Sequence, residues 1–139
     1  GQSFVFESRP GAGGTLGMAQ AAKATPDGYT LLVNSSIQTI VPTTFAKLPF
    51  DTLRDFAAVI PLGQFPNVLV APAGRFKTVQ DLVALAKSKP RMLNYASAGP
   101  ATLAHLSGAL FEKMAGIELT HVPYRGTAFA NTDVACGRP

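Results

Sequence analysis

Charge is scarce in this chain of 139 residues, of which only 14% are Asp, Glu, Lys or Arg, against about 25% in an ordinary globular domain. The 12 Lys and Arg exceed the 8 Asp and Glu, but they lie scattered, with no run or stripe to follow a phosphate backbone, which argues against nucleic-acid binding. A single cysteine, Cys136, cannot close an internal disulfide. With only two histidines beside it, a structural Cys/His zinc cage is also excluded. No apolar stretch reaches the ~18 residues needed to span a bilayer, so no membrane insertion is expected. Gly1-Gln2-Ser3 runs into Phe4-Val5-Phe6 without the basic segment that opens a secretory signal, so any export signal is expected upstream or already removed. The acids Asp51, Asp55, Asp81, Glu112 and Asp133 stand singly, and their order gives no carboxylate pair for acid/base work.

What the chain has is apolar residues, 47% of the total, and punctuation, with 13 Gly and 11 Pro. That balance argues for a packed fold over disorder. Strand-like and helix-like segments alternate between Gly, Pro, Asn and Asp breaks, the pattern of parallel βα units, so the expected fold class is α/β. Strands are expected at Ser3–Glu7, Tyr29–Val33, Ala57–Leu62, Asn67–Ala71, Leu93–Ala96 and Glu118–Val122. Helices are expected at Thr15–Ala24 and Gln38–Phe45, with one helical turn at Leu53–Phe56. A further helix should open after the Thr78 cap, another should run to Met114 with Gly116 just beyond it, and a last one should cover Thr127–Ala135. The Pro/Gly-rich stretch Gly63–Pro66 divides the chain into two expected partial lobes, residues 1–65 and 66–139. Each lobe has about three strands, too few to flank and cover a parallel sheet, and both ends are expected to be cut.

Several turns carry candidate chemistry. Gly11-Ala12-Gly13-Gly14 follows a strand and opens a helix, a place where amides can hold an anion. Its glycine spacing does not fit a dinucleotide fingerprint, and the next strand ends at Asn34 with no acid for a ribose. A tight turn and close packing are the simpler explanation of these glycines. Tyr95-Ala96-Ser97-Ala98-Gly99 has the strand-to-helix form of a nucleophile elbow, but Tyr95 occupies the position where that strained turn needs a small residue. A serine hydrolase using Ser97, with His105 or His121 as base, is therefore the rival reading from another class. The same turn sets the hydroxyls of Ser97 and Thr102 beside the orphan amides of a helix N-terminus, an arrangement suited to a carboxylate. Pro100 fits a first helical turn. Asn34-Ser35-Ser36 and the segment around Tyr124 also follow strand ends, where ligands of open α/β sheets gather. The bland alternatives are a helix cap and a surface aromatic, and each histidine reads as a single, satisfied structural residue.

Taken in order, six pieces of the chain resemble a known family. They are Glu7-Ser8-Arg9-Pro10-Gly11-Ala12-Gly13-Gly14, Pro26-Asp27-Gly28-Tyr29-Thr30-Leu31-Leu32, Leu48-Pro49-Phe50-Asp51 with Asp55-Phe56, Pro66-Asn67-Val68-Leu69-Val70, Leu93-Asn94-Tyr95-Ala96-Ser97-Ala98-Gly99, and His121-Val122-Pro123-Tyr124-Arg125-Gly126. The family is that of the extracytoplasmic solute receptors of tripartite tricarboxylate transporters, the Bug family. The resemblance implies a two-lobed periplasmic binding-protein fold of the Venus-flytrap kind, incomplete at both ends here, which closes on a small organic carboxylate without chemistry and delivers it to membrane permease subunits. It implies a periplasmic location and no cofactor or metal. It also implies a ligand held by main-chain amides and hydroxyls, which on this chain means Ser97, Ala98, Gly99 and Thr102, then Asn34, Ser35, Ser36 and Tyr124. Where relatives have Gly-x-Gly-Thr, this chain has Gly99-Pro100-Ala101-Thr102. A fragment without activity of its own is the third reading, because unpaired sheet edges invite association.

Overall fold

A computed structural model describes residues 1–138. Its ordered centre is a single βαβ unit: β1 (Asn94–Ser97), α4 (Leu103–Ala115) and β2 (Thr120–Pro123), with β1 and β2 paired in parallel. Before it lie α1 (Thr15–Ala21), entered through a 3₁₀ turn at Ala12–Gly14, then α2 (Ile37–Thr44) and α3 (Val79–Ser88); α5 (Thr127–Ala135) follows it. Parallel strands need a crossover, and α4 supplies it.

Local chemistry accounts for the helix boundaries. Thr78 and Asp81 form a reciprocal capping box: the Thr78 hydroxyl accepts the Asp81 N–H at 3.2 Å, and the Asp81 carboxylate accepts the Thr78 N–H at 3.0 Å. Two donors that α3 cannot satisfy internally are thereby met. At α4, Thr102 is extended and its hydroxyl accepts the His105 N–H, while Gly116 ends the helix in the left-handed conformation that glycine adopts freely. Pro100 thus precedes the cap and lies in the turn, not in the first helical turn. Helix α1 is shorter than the sequence suggests because the Lys23 and Ala24 amides reach back only three residues, to Gln20 and Ala21, and the chain tightens out of the α-helix. At Leu53 the Asp51 carboxylate accepts the Leu53 and Arg54 N–H groups and the Asp55 N–H donates to the Asp51 carbonyl at 3.1 Å, so the expected single helical turn is there, shifted to begin at Asp51 and closed by a side chain. The bonds from Leu53 and Arg54 hold the Asp51 carboxyl below its ordinary value.

Two apolar clusters form. One gathers Met18, Ile37, Val41, Phe50 and Ala101, with Leu32, Ile40, Phe45 and Phe56 against them. The other gathers Ala86, Leu93 and Ile117, packed by Phe76, Leu82, Phe111 and Leu119. Ala101 is the exception to their separation in sequence: it belongs to the second half of the chain and is buried in the first cluster.

Four of the six expected strands are not strands among the described residues. Residues 3–7, 29–33, 57–62 and 67–71 carry no ladder and are largely exposed; Val5 is 96% exposed, Val59 79% and Val68 76%. Their β-branched, apolar composition is that of strands, but a strand exists only through a partner. Only β1 and β2 find one here.

Candidate functional site

The site grows from two periodicities. Alternate residues of a strand share a face, so Tyr95 and Ser97 of β1 point the same way, and the register sets His121 of β2 opposite Tyr95 and diagonal to Ser97. On α4, residues three and four apart share a face, which aligns His105, Gly108 and Glu112. Where the two faces meet, Tyr95 and His121 stack with ring centroids 4.9 Å apart, and His121 and His105 with centroids 4.2 Å apart. Gly108 makes room for this layer, since a Cβ there would lie 2.4 Å from the Tyr95 ring.

The turn from β1 into α4 is bound into that layer. Ser97 is 2% exposed; its hydroxyl lies 2.7 Å from His121 Nε2 and accepts the Gly99 N–H at 3.1 Å. The Thr102 hydroxyl donates to the Gly99 carbonyl at 2.7 Å. The Ala101 N–H donates to His105 Nδ1 at 3.2 Å. Ala101 is left-handed, with φ 62°, a conformation that costs an alanine about 1–2 kcal/mol. Beyond the cap, the first N–H groups of α4, on Leu103 and Ala104, are of the kind that a helix leaves without an internal acceptor.

A second segment closes on this turn. A Cβ on Gly13 would lie 2.7 Å from the Pro100 carbonyl oxygen, and one on Gly99 would lie 3.7 Å from the Gly13 nitrogen and 3.5 Å from the Tyr124 carbonyl oxygen. The Gly-rich turn thus packs closely on the Ser97–Thr102 turn. Beside Pro100 and Ala101, a cavity of about 310 Å³ is also lined by Thr44, Phe45, His105 and Leu106.

The structure brings Ser97, Ala98, Gly99, Thr102 and Tyr124 together. The Tyr124 N–H donates to the Ser97 carbonyl at 2.9 Å. Its phenol donates to Asp133 at 2.9 Å, a bond that raises it above its ordinary value. Asn34, Ser35 and Ser36 are exposed, and no hydrogen bond joins them to the Ser97–Thr102 turn among the described residues. Asn34 instead bonds to Gln38 and to the Ser35 N–H, and Ser36 precedes α2 without a side-chain cap. Sequence reasoning treated the histidines as single; they form a stacked pair, and because the pairing depends on the register of two strands, no local signal in the sequence announced it.

Burial and the neighbouring His105 push His121 below 6.5, against a smaller upward pull from Glu112. Ser97 and His121 are within reach of each other, as a hydrolase would require, yet the hydroxyl is buried and already accepts the Gly99 amide. Among the described residues there is no His/Cys/Asp/Glu group able to hold a metal, and no helix is long and apolar enough to cross a membrane.

The family described as "Tripartite tricarboxylate transporter family receptor" matches residues 1–138. The chain belongs to this receptor family. The family is one of transport receptors and not of enzymes, which removes the hydrolase reading. A UPF0065 protein in the tcbD-tcbE intergenic region of Pseudomonas sp. strain P51 is 40% identical over 139 residues, covering 99% of this chain and 41% of that protein. The structure of R. palustris Rpa4515 with adipate superposes with a TM-score of 0.92 at 35% identity, over 98% of this chain and 46% of that one. Periplasmic binding protein BugD superposes at 0.73 with 26% identity, over 92% of this chain and 43% of that one. The receptor fold is thus the α/β periplasmic binding-protein fold, and this chain spans less than half the length of the proteins it matches.

Proposed function

We propose that the protein acts as a periplasmic solute receptor that binds a small organic carboxylate and passes it to the permease subunits of a tripartite transporter. The observation that carries this reading is the Ser97–Thr102 turn, which opens a helix N-terminus at the C-terminal end of a parallel strand. Brought there, a carboxylate would meet main-chain N–H groups and the positive end of the α4 dipole, both worth more in a cleft that excludes water. Ala98, Gly99 and Thr102 contribute through the backbone. The Thr102 hydroxyl, engaged with the Gly99 carbonyl, shapes the turn and caps α4. Tyr124 lies beside the turn, and Asn34, Ser35 and Ser36 line the opposing lobe.

Residues 1–65 and 66–139 form portions of two lobes in this reading. In support, one cluster draws its chain from residues 18–56 and the other from residues 76–119, and only Ala101 crosses between them. A turn lodged in the opposite lobe's core is well placed to sense closure.

Calorimetry against adipate, succinate and citrate tests the reading. Saturable one-site binding of at least one acid is expected, with Thr102→Ala weakening it by about 1–3 kcal/mol through loss of the turn's internal bond and the cap. Absence of binding to every acid overturns the receptor reading, and unchanged affinity in Thr102→Ala removes that residue from the site.

A further inference from the structure

We infer that His105 and His121 are positioning residues for the Ser97–Thr102 turn, and that the His105 end of the turn holds only while Nδ1 carries no proton. The consequence for ligand affinity rests on the reading that this turn receives a carboxylate; the positioning itself does not.

The two rings grip opposite ends of one turn. His121 Nε2 meets the Ser97 hydroxyl at 2.7 Å, and His105 Nδ1 accepts the Ala101 N–H at 3.2 Å. The Ser97 hydroxyl also reaches the Gly99 carbonyl at 3.2 Å, so it can donate there and accept from a protonated Nε2, and the His121 contact tolerates either state. A backbone N–H can only donate, so His105 Nδ1 carries no proton in this arrangement. Protonation there would set two donors against each other and break the bond. The rings also lie 26° from parallel with centroids 4.2 Å apart, a separation at which two imidazolium charges repel strongly in a partly buried site. What the pair holds needs holding, because Ala101 sits at φ 62° where an alanine does not rest unaided.

The surroundings leave the pair little to offset a positive charge. From β1, His121 faces the Tyr95 ring and the Ser97 hydroxyl. From α4 it faces His105, and the one charged group acting on it is Glu112, whose carboxylate accepts the Leu119 N–H at 2.6 Å. On the far side, the cavity beside His105 is lined by Thr44, Phe45, Pro100, Ala101 and Leu106, none of which titrates. The direction of the His121 shift agrees: its value lies below 6.5. A depressed histidine contributes stability that is fully present above its unfolded value and is lost as pH falls through its folded one. The turn should therefore be fixed at pH 8 and loosen below about 6.5, the unperturbed imidazole value.

Amide NMR of the protein between pH 8 and pH 5 tests this without any ligand. The Ala101 N–H signal should shift as the histidine ring signals do, and solvent exchange at Ala101, corrected for its intrinsic pH dependence, should accelerate several-fold, while Gly99, held by the Ser97 hydroxyl, should move less. His105→Asn keeps an acceptor near the Nδ1 position and His121→Gln keeps a polar group near Nε2, and neither titrates; His105→Asn should abolish the Ala101 response, and His121→Gln should leave it in place. Amides that ignore pH in the unsubstituted protein overturn the inference, as does an Ala101 response that survives in His105→Asn. The unsubstituted titration stands even if a variant fails to fold. In a second arm, adipate affinity should fall about tenfold more between pH 8 and pH 6 in the unsubstituted protein than in the double variant, which carries adipate's own protonation equally. Titrating amides without adipate binding would sink the receptor reading for adipate and keep the histidine pair. Adipate binding with silent amides would do the reverse.

Discussion

Gly13→Ala should destabilise the protein by about 2–5 kcal/mol, the sum of a left-handed alanine and a forced shift of packed backbone. Gly13 has φ 65°, and its Cβ would meet the Pro100 carbonyl oxygen at 2.7 Å. That oxygen belongs to the main chain of the turn and cannot rotate aside, so the turn itself must move. Gly14→Ala is the matched control: φ there is 97°, with nothing within 4 Å of the added carbon, so only the conformational cost of about 1–2 kcal/mol applies. Urea unfolding of both variants separates contact from conformation. Equal losses would mean that the approach of Gly13 to Pro100 is not what holds the two segments together. If the turn binds a carboxylate, Gly13→Ala should also weaken adipate binding where Gly14→Ala does not.

Ser97→Ala should cost about 1–3 kcal/mol, because it strands the buried Gly99 N–H and removes the partner of His121 Nε2 in a site with little access to water. The hydroxyl is 2% exposed, and its accepted bond and its contact to His121 both lie within hydrogen-bond distance. Ser97→Thr keeps the hydroxyl and should recover most of the loss if its extra methyl finds room. Chemical denaturation checks the pair of variants. A loss below about 0.5 kcal/mol in Ser97→Ala, the level of an ordinary surface change, would show that water replaces the hydroxyl and that the turn is set by Thr102 and Ala101 alone.

Helices were readable where short-range chemistry decides them. Thr78 followed by Asp81 gives the start of α3, Gly116 gives the end of α4, and Thr127–Ala135 is α5 as expected. The strands were harder for a physical reason. Composition identifies a segment that can enter a sheet, and Phe4-Val5-Phe6 or Val68-Leu69-Val70 qualifies as well as Tyr95-Ala96, but pairing depends on what lies alongside. The candidate site shows the same division. Ser97, Gly99 and Thr102 announce themselves as a strand-to-helix turn, so their place at the head of α4 was legible. The parallel register that sets His121 opposite Tyr95, and the approach of Gly13 to Pro100, are long-range outcomes with no local signature. Ala101 is instructive in another way. It stands where the resemblance leads one to expect glycine, and the structure shows it left-handed all the same, buried in the cluster of Met18, Ile37, Val41 and Phe50.

The extended run 57–71 has a mechanical meaning. No backbone hydrogen bond holds it among the described residues, and its one side-chain anchor is the bond from Asn67 to Ser107 at 2.9 Å. It is thus an exposed connection between the two apolar clusters, which meet elsewhere, at Gly13 against Pro100 and at Ala101 in the first cluster. Chain of that kind is what a protease cuts first. A nick near Phe65 would sever the polypeptide yet leave the two pieces clasped, because the fastening between them does not run along the covalent chain.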